Sequence, residues 1–473
     1  MTISEADLNA RRDALRQVPV AEDKILPNPS DPMAVARVLQ AERFAHVHGP
    51  TLRHWRGGWW DWRKSHWVEV PDRAVKARAY KFTEHAMYTD EKGPKPWAPN
   101  RRRIGDLNEA MAAVAHLRDD LDQPGWIEKP DAPEGVIVAC QNGLLDVRRR
   151  TLLEHDPRFF NQTSVPFAFE PDAPPPARWL RFLAELWPED TKARNALQEW
   201  FGYVVSGRLD LHKILLLVGP TRAGKGVIAR TLGALIGPTN VAGPTLASLG
   251  TDFGLAPLLG KPLAVVADAR LDGRGSNTVV ERLLNVSGED TITVNRKYRD
   301  QWTGKLPSRF MVISNELPRL GDASATIANR FVALLLTNSF LGKENHNLGN
   351  DLHAELPGIL NWSLAGLDRL TEQDRFTRPA GTDEAIIALQ DLASPVAAFV
   401  RDRCATGGEH SIPVDDLWAA WKTWCEDNGH PPRSKQTLGR DLKAVLPALQ
   451  IARPRDGEDR HRTYEGVALR GGS

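Results

Sequence analysis

Between residues 214 and 335 short apolar runs alternate with segments of helical spacing. ILLLV (Ile214 to Val218), PLAVVA (Pro262 to Ala267) and RFMVIS (Arg309 to Ser314) have the length and composition of buried strands. Val227 to Ile236 has the spacing of a helix and ends at Gly237. Alternation of this kind predicts an α/β domain built on a sheet. Upstream, ARWLRFLAELW and ARNALQEWFGYVVSG predict two amphipathic helices within 177–205. Nearer the N-terminus a helix is expected over Asp31 to Phe44. A small sheet comes after it in LRHWRGGWWDWRKSHWVEV, with Gly57-Gly58 as its turn. Helical patterns then run through Arg73 to Tyr88 and Ile104 to Leu117. From about Leu392 the order reads three helices and then strands. Ser434 opens the helix SKQTLGRDLKAVL, and Asp456-Gly457 supplies a turn between the strands beyond it, a winged-helix pattern.

Proline-rich breaks interrupt these patterns at GPKPWAP (Gly93 to Pro99), at PDAPPP (Pro171 to Pro176) and around Arg378 to Asp383. A chain of 473 residues is too long for one ordinary core, so two to four domains are expected. No apolar run approaches the roughly 20 residues of a membrane span, and Met1 to Arg12 has no apolar signal core, so a cytoplasmic protein without membrane partners is expected. Cys140, Cys404 and Cys425 lie far apart, which speaks against a zinc site. The net charge of +1 gives no global case for nucleic acid, so any DNA contact must come from local patches.

The strongest local signal is the stretch Gly219, Pro220, Thr221, Arg222, Ala223, Gly224, Lys225, Gly226, Val227, set between a buried strand and a helix. That context is what a phosphate-binding loop requires: glycines let backbone N–H groups face phosphate oxygens, the helix N-terminus adds a positive end, and Lys225 reaches the β- and γ-phosphates. The usual Ser or Thr after the lysine, a Mg²⁺ ligand, is replaced by Gly226; Thr231, one turn on, is a substitute candidate. Asp268 comes directly after the strand PLAVVA, where an acid handles Mg²⁺ and the attacking water, and no second acid adjoins it. Asn315 comes directly after RFMVIS and can orient that water. Arg330 enters the next apolar segment, where it reads as a finger on a neighbouring subunit's nucleotide or as a surface ion pair. Between them, Arg296, Lys297 and Arg299 cluster with Tyr298 and Trp302 in a hairpin or loop over Asn295 to Trp302. This is either a DNA contact or a solvated charged loop.

The order of these pieces resembles the compact motor of superfamily 3 helicases, and most closely the phage/plasmid primase-helicase family that includes the poxvirus nucleoside triphosphatase. The resemblance spans about residues 135–460. It is carried further by QNGLLDV (Gln141 to Val147) with Leu153, His155 and Pro157, by LQEWFGYVVSG (Leu197 to Gly207), by ELPGILNWSLAGL (Glu355 to Leu367) and by WAAWKTWCEDNGHPP. It implies an AAA+-like P-loop NTPase core with a helical N-terminal module and a C-terminal winged helix. The expected divisions are 1–130, a Trp-rich accessory domain; 131–207, the helical module; 208–345, the ATPase core; 346–390, a helical completion of the motor; and 391–473, the winged helix. Position by position, Lys225 matches the phosphate lysine, Asp268 the metal-binding acid, Lys297 and Arg299 the hairpin cations, Asn315 the sensor and Arg330 the arginine finger. Gly226 and the single acid depart from the pattern. The family implies ATP and Mg²⁺ as cofactors and a homo-hexameric ring that moves 3′ to 5′ on single-stranded DNA.

Residues 1–130 are too short for an archaeo-eukaryotic primase fold and have no Asp-x-Asp pair on an apolar strand, so a separate primase or polymerase is expected. Trp55, Trp59, Trp60, Trp62 and Trp67, mixed with arginines, form either a base-stacking surface or a core; their partly alternating spacing favours a core. In the C-terminal segment, Lys435, Arg440, Lys443, Arg460 and Arg462 are the expected contacts to forked DNA, with Arg453, Arg455 and His461 adding charge. The function expected is an ATP-dependent DNA helicase for phage or plasmid replication. The competing reading is an ATP-switched origin-binding initiator without processive unwinding.

Overall fold

The computed structural model of the protein describes residues 24–121, 123–267, 276–298, 300–318, 320, 326–432, 434–452 and 462–470. Asp268, Arg299, Arg460, Arg453, Arg455, His461 and the Asp456-Gly457 turn lie outside the described residues. The chain divides into two compact units: one takes the chain up to Glu134 together with Glu154–Gln162, and the other takes Gly135–Leu153 and the chain from Thr163.

The first unit has helices α1 (Pro32–Arg43), α2 (Asp72–Thr83) and α3 (Arg101–Val114). With them stand the antiparallel sheet β1 (Leu52–Trp55), β2 (Gly58–Trp62), β3 (Trp67–Val70) and the hairpin β4 (Met87–Asp90), β5 (Gly93–Pro96). The β1–β2 turn falls one residue earlier than the sequence suggests. Trp55 pairs with Gly58, and Arg56 and Gly57 take φ of 48° and 71°, the paired positive values of a type I′ hairpin. The helix expected to reach Tyr88 stops at Thr83, because Met87 to Asp90 is drawn into strand pairing with Gly93–Pro96. The tryptophans form core. Trp55, Trp60 and Trp67 pack around Phe160 with ring centroids 5.4, 5.7 and 5.4 Å away, all buried. Their indole N–H groups donate to the carbonyls of Arg118, Trp55 and Pro157.

The second unit begins with the antiparallel sheet β6 (Ile137–Cys140), β7 (Gly143–Asp146), β8 (Thr151–Leu153). The segment 131–207, expected to be helical, is therefore helical only in its second half, in α4 (Ala177–Leu186) and α5 (Thr191–Val205). Next come β9 (Ile214–Val218), α6 (Lys225–Ile236), β10 (Val241–Ala242), β11 (Leu263–Ala267) and α7 (Ser276–Ser287). The hairpin β12 (Ile292–Val294), β13 (Trp302–Gly304) precedes β14 (Arg309–Ser314) and β15 (Phe331–Leu335). Strands β10, β11, β14, β9 and β15 lie side by side in that order, all parallel. The uniformly apolar strands follow from burial on both faces. Leu215, Leu217, Met311, Val332 and Leu334 point into a core shared with α4, α5 and α6. Ile214, Leu216, Phe310, Val312 and Phe331 point into a second core shared with α7.

Helices α8 (Leu348–Ala354) and α9 (Leu356–Gln373) return to the first of these cores. Where α9 crosses α5, a Cβ on Gly202 would stand 2.5 Å from the Ser363 carbonyl, and one on Gly366 would stand 2.4 Å from that of Gln198, so both positions need glycine. Beside the crossing, the buried Glu199 carboxylate accepts from Arg369 Nε (2.7 Å), Gln373 Nε2 (2.9 Å), and Thr377 N (2.7 Å) and Oγ1 (2.6 Å). The chain closes with α10 (Thr382–Ala393), α11 (Pro395–Arg403), β16 (Cys404–Pro413), α12 (Val414–Asp427), α13 (Lys435–Val445), β17 (Gln450–Ala452) and β18 (Thr463–Leu469). Strand β16 interrupts the expected run of three helices. Gly407-Gly408 hides it in the sequence, and antiparallel pairing to β18, with an irregularity between Thr406 and Ser411, creates it. No described helix is long and apolar enough to cross a membrane.

Candidate functional site

In an open parallel sheet, ligands bind beyond the carboxyl ends of the strands, where neighbouring connections leave in opposite directions. Strand β9 stands at such a point, between β14 and β15, and the loop 219–224 lies at its carboxyl end. Gly219 is fixed there by packing, because a Cβ would sit 2.4 Å from the Leu336 carbonyl. Gly224 and Arg222 take φ of 88° and 61°, which turns the chain into α6. The loop is pinned from outside by Phe340 N donating to the Arg222 carbonyl (3.0 Å) and Ser339 Oγ donating to that of Thr221 (2.8 Å). Among the described residues, the N–H groups of Thr221, Arg222, Gly224, Lys225 and Gly226 find no acceptor. They form a concave row of donors at a helix N-terminus, which suits an anion.

Lys225, the first residue of α6, is only 7% exposed. Its Nζ donates to the carbonyls of Gly219 (2.5 Å) and Pro220 (2.8 Å) and to Asn315 Oδ1 (3.1 Å). All three acceptors are neutral, and no described carboxylate pairs with it. Burial accordingly holds its pKa below the usual lysine value. A buried cation with only neutral partners is a site that an incoming anion stabilises. Around it opens a cleft of about 850 Å³, the size of a small-ligand site. One wall is Phe182 and Glu185 of α4; another is Phe340, Leu348, Leu352 and Leu356; Thr231 lies on the floor. These wall residues escaped the sequence reading. Phe182 shows in the sequence only as part of the apolar stripe of α4, which marks burial and not a ligand.

Of the residues expected at the site, Lys225, Asn315 and the 219–227 loop come together. Ala267, which precedes Asp268, pairs with Ile313 at the same end of the sheet. Arg330 does not join them. It precedes Phe331, which pairs with Ile214, the first residue of β9, so it stands at the opposite end of a strand about 13 Å long. There its Nη1 donates to the His212 carbonyl (3.4 Å), and Lys213 donates to that of Asn329 (2.6 Å). Burial and then the charges of Arg330 and Arg378 push the Lys213 pKa down.

Arg296 and Lys297 stand between the paired strands of a hairpin, with Val294 opposite Trp302. Arg296 Nε donates to the Asp300 carbonyl (2.9 Å). Lys297 Nζ lies 5.6 Å from the Phe253 ring, and Tyr298 is fully exposed with φ 59°. In the C-terminal segment Lys435 is paired with Asp415 and Arg440 with Asp441 (3.1 Å), while Lys443 and Arg462 are exposed without an ionic partner among the described residues.

Three family descriptions match in succession along the chain: "D5 N terminal like" over residues 41–188, a family of unknown function (DUF5906) over 217–330, and "Poxvirus D5 protein-like" over 393–465. Together these matches support a D5-like, phage or viral primase-helicase-like protein. Among solved structures, the D5-like chain is similar to the apo structure of the NrS-1 C-terminal region (305–718). The TM-score is 0.52 and the identity 14%, covering 93% of this chain and 99% of that one. The A form of the same region matches at TM-score 0.49 and 13% identity, over 92% and 100% of the two chains. The first of these likenesses shows the fold, a mixed α/β architecture.

Proposed function

We propose that the protein is an ATP-driven DNA helicase of the superfamily 3 type, acting in phage or plasmid replication. The observation that carries this reading is Lys225: a buried ammonium among neutral oxygens, facing a row of free N–H groups in a cleft of nucleotide size. In this reading the 219–227 loop holds the β- and γ-phosphates of ATP, Lys225 counters their charge, and Asn315 orients the attacking water. The parallel order β10-β11-β14-β9-β15 supports a P-loop motor of the AAA+-like kind. Arg330 serves the nucleotide of a neighbouring copy in a homo-hexameric ring, in keeping with its distance from its own cleft. Arg296, Lys297 and Arg299 contact single-stranded DNA in the pore, and translocation runs 3′ to 5′. The C-terminal segment acts as a winged helix on forked DNA, and primers come from a separate primase or polymerase.

Asp268 is the proposed acid for Mg²⁺. Gly226 has no hydroxyl to add to it, and no second acid adjoins Asp268 in the sequence. The same gap favours the second reading, an ATP-switched, origin-binding initiator that does not unwind processively. ATP hydrolysis with and without single-stranded DNA, on material sized by light scattering, tests the motor. DNA-stimulated turnover by a particle of about six chains is expected. A monomer without turnover overturns it, and turnover without unwinding of a forked substrate favours the initiator.

A further inference from the structure

Gly226 takes the place of the hydroxyl residue that ordinarily comes after the lysine. Its surroundings give it a positive role. A Cβ on residue 226 would stand 3.1 Å from Nη1 of Arg230 and 3.9 Å from its Cζ. The guanidinium of Arg230, from the second turn of α6, therefore folds back to the first turn and fills the space that a Ser or Thr side chain would occupy. It lines the same cleft as Lys225, Thr231 and Asn315. Among the described residues it has no hydrogen-bonding or ionic partner. The ion pairs among the described residues that line the cleft join Arg222 to Glu344 (3.6 Å) and Arg178 to Glu185 (3.4 Å), and both leave Arg230 aside.

Lys225, bonded only to neutral oxygens, and the solvent-exposed Arg230 are two cations without an ionic partner among the described residues, and both add to the positive end of the helix dipole. The arrangement is relieved by a ligand carrying at least two negative charges. A planar guanidinium offers forked N–H donors to phosphate oxygens and stays charged at every working pH. We propose that Arg230 is a second phosphate-binding cation of this cleft, admitted by Gly226, which lets a nucleoside polyphosphate bind without a divalent metal. This rests on the nucleotide reading of the cleft. Lys225 and Arg230 flank the first turn of α6 and grip different phosphates of one chain, in the place where a hydroxyl-held Mg²⁺ would otherwise offset charge.

The test is binding of a fluorescent ATP analogue (mant-ATP) to the full chain, in excess EDTA and again in Mg²⁺. The wild type is expected to bind in EDTA, and Arg230→Ala to bind about tenfold more weakly there, the loss of a charge-assisted contact. Gly226→Ser is the second variant. It pushes only the far end of a flexible side chain, so it should melt like the wild type. It should also lose metal-free affinity as Arg230→Ala does, and recover it in Mg²⁺. If Lys225→Ala loses binding while Arg230→Ala and Gly226→Ser bind in EDTA like the wild type, Arg230 has no such role and the nucleotide reading stands. If the wild type binds no mant-ATP in either buffer, the nucleotide reading itself fails.

Discussion

The tryptophan-rich sheet of the first unit and the cleft of the second are both dense in aromatic and cationic side chains, yet they treat their polar groups in opposite ways. Around Phe160 the indole N–H groups of Trp55, Trp60 and Trp67 all find backbone carbonyls, and the rings close on one another. At the cleft a row of N–H groups and the cation of Arg230 find nothing among the described residues, and Lys225 finds only neutral oxygens. Composition does not separate these two clusters, whereas hydrogen-bond satisfaction does.

That contrast can be broken at either end. Lys225→Ala should lower ATP turnover by at least about a hundredfold while the melting temperature holds or rises, since a buried, uncompensated charge is removed. Retained turnover would mean that the loop is misassigned. Trp67→Ala should cost about 3–5 kcal/mol in denaturant or thermal unfolding, with Trp67→Phe costing much less. Lower DNA affinity at unchanged stability would instead return the tryptophans to a stacking surface. Lys297→Ala should reduce unwinding of a forked substrate about tenfold and leave most of the ATPase; unchanged unwinding removes the hairpin from the DNA path. The smallest effect is with pH. Burial lowers the Lys225 pKa, and bound phosphate raises it, so binding favours the protonated form. Nucleotide affinity should therefore be full below the lowered pKa of the free protein and fall as pH rises through it, before an ordinary lysine would titrate. Lys225→Arg, which stays charged, should remove that decline; an identical alkaline decline in the variant would assign it to another group.

Much of this architecture is legible in the sequence where burial is total. ILLLV and RFMVIS read as strands because both faces of the parallel sheet are covered, and Gly219 to Lys225 reads as a loop because its neighbours are a strand and a helix. What eludes the sequence depends on partners distant along the chain. Cys404–Pro413 is a strand only because Thr463–Leu469 lies beside it. Met87–Asp90 leaves the helical pattern because a hairpin captures it. The position of Arg330 at the far end of β9 comes from strand order, and the back-folded Arg230 from the space above Gly226. Neither has a spacing to betray it.

Gly219 presses against the Leu336 carbonyl, and Phe340 pins the loop at Arg222. The cleft walls extend as far as Leu356. On a ribosome the loop thus emerges about 130 residues, on the order of ten seconds, before the segments that shape it. A nascent chain stalled in that interval carries the phosphate-binding sequence without the contacts at Leu336 and Phe340 that hold its curvature. Competence to take a ligand should therefore arrive late and abruptly in synthesis, after both flanking strands have met.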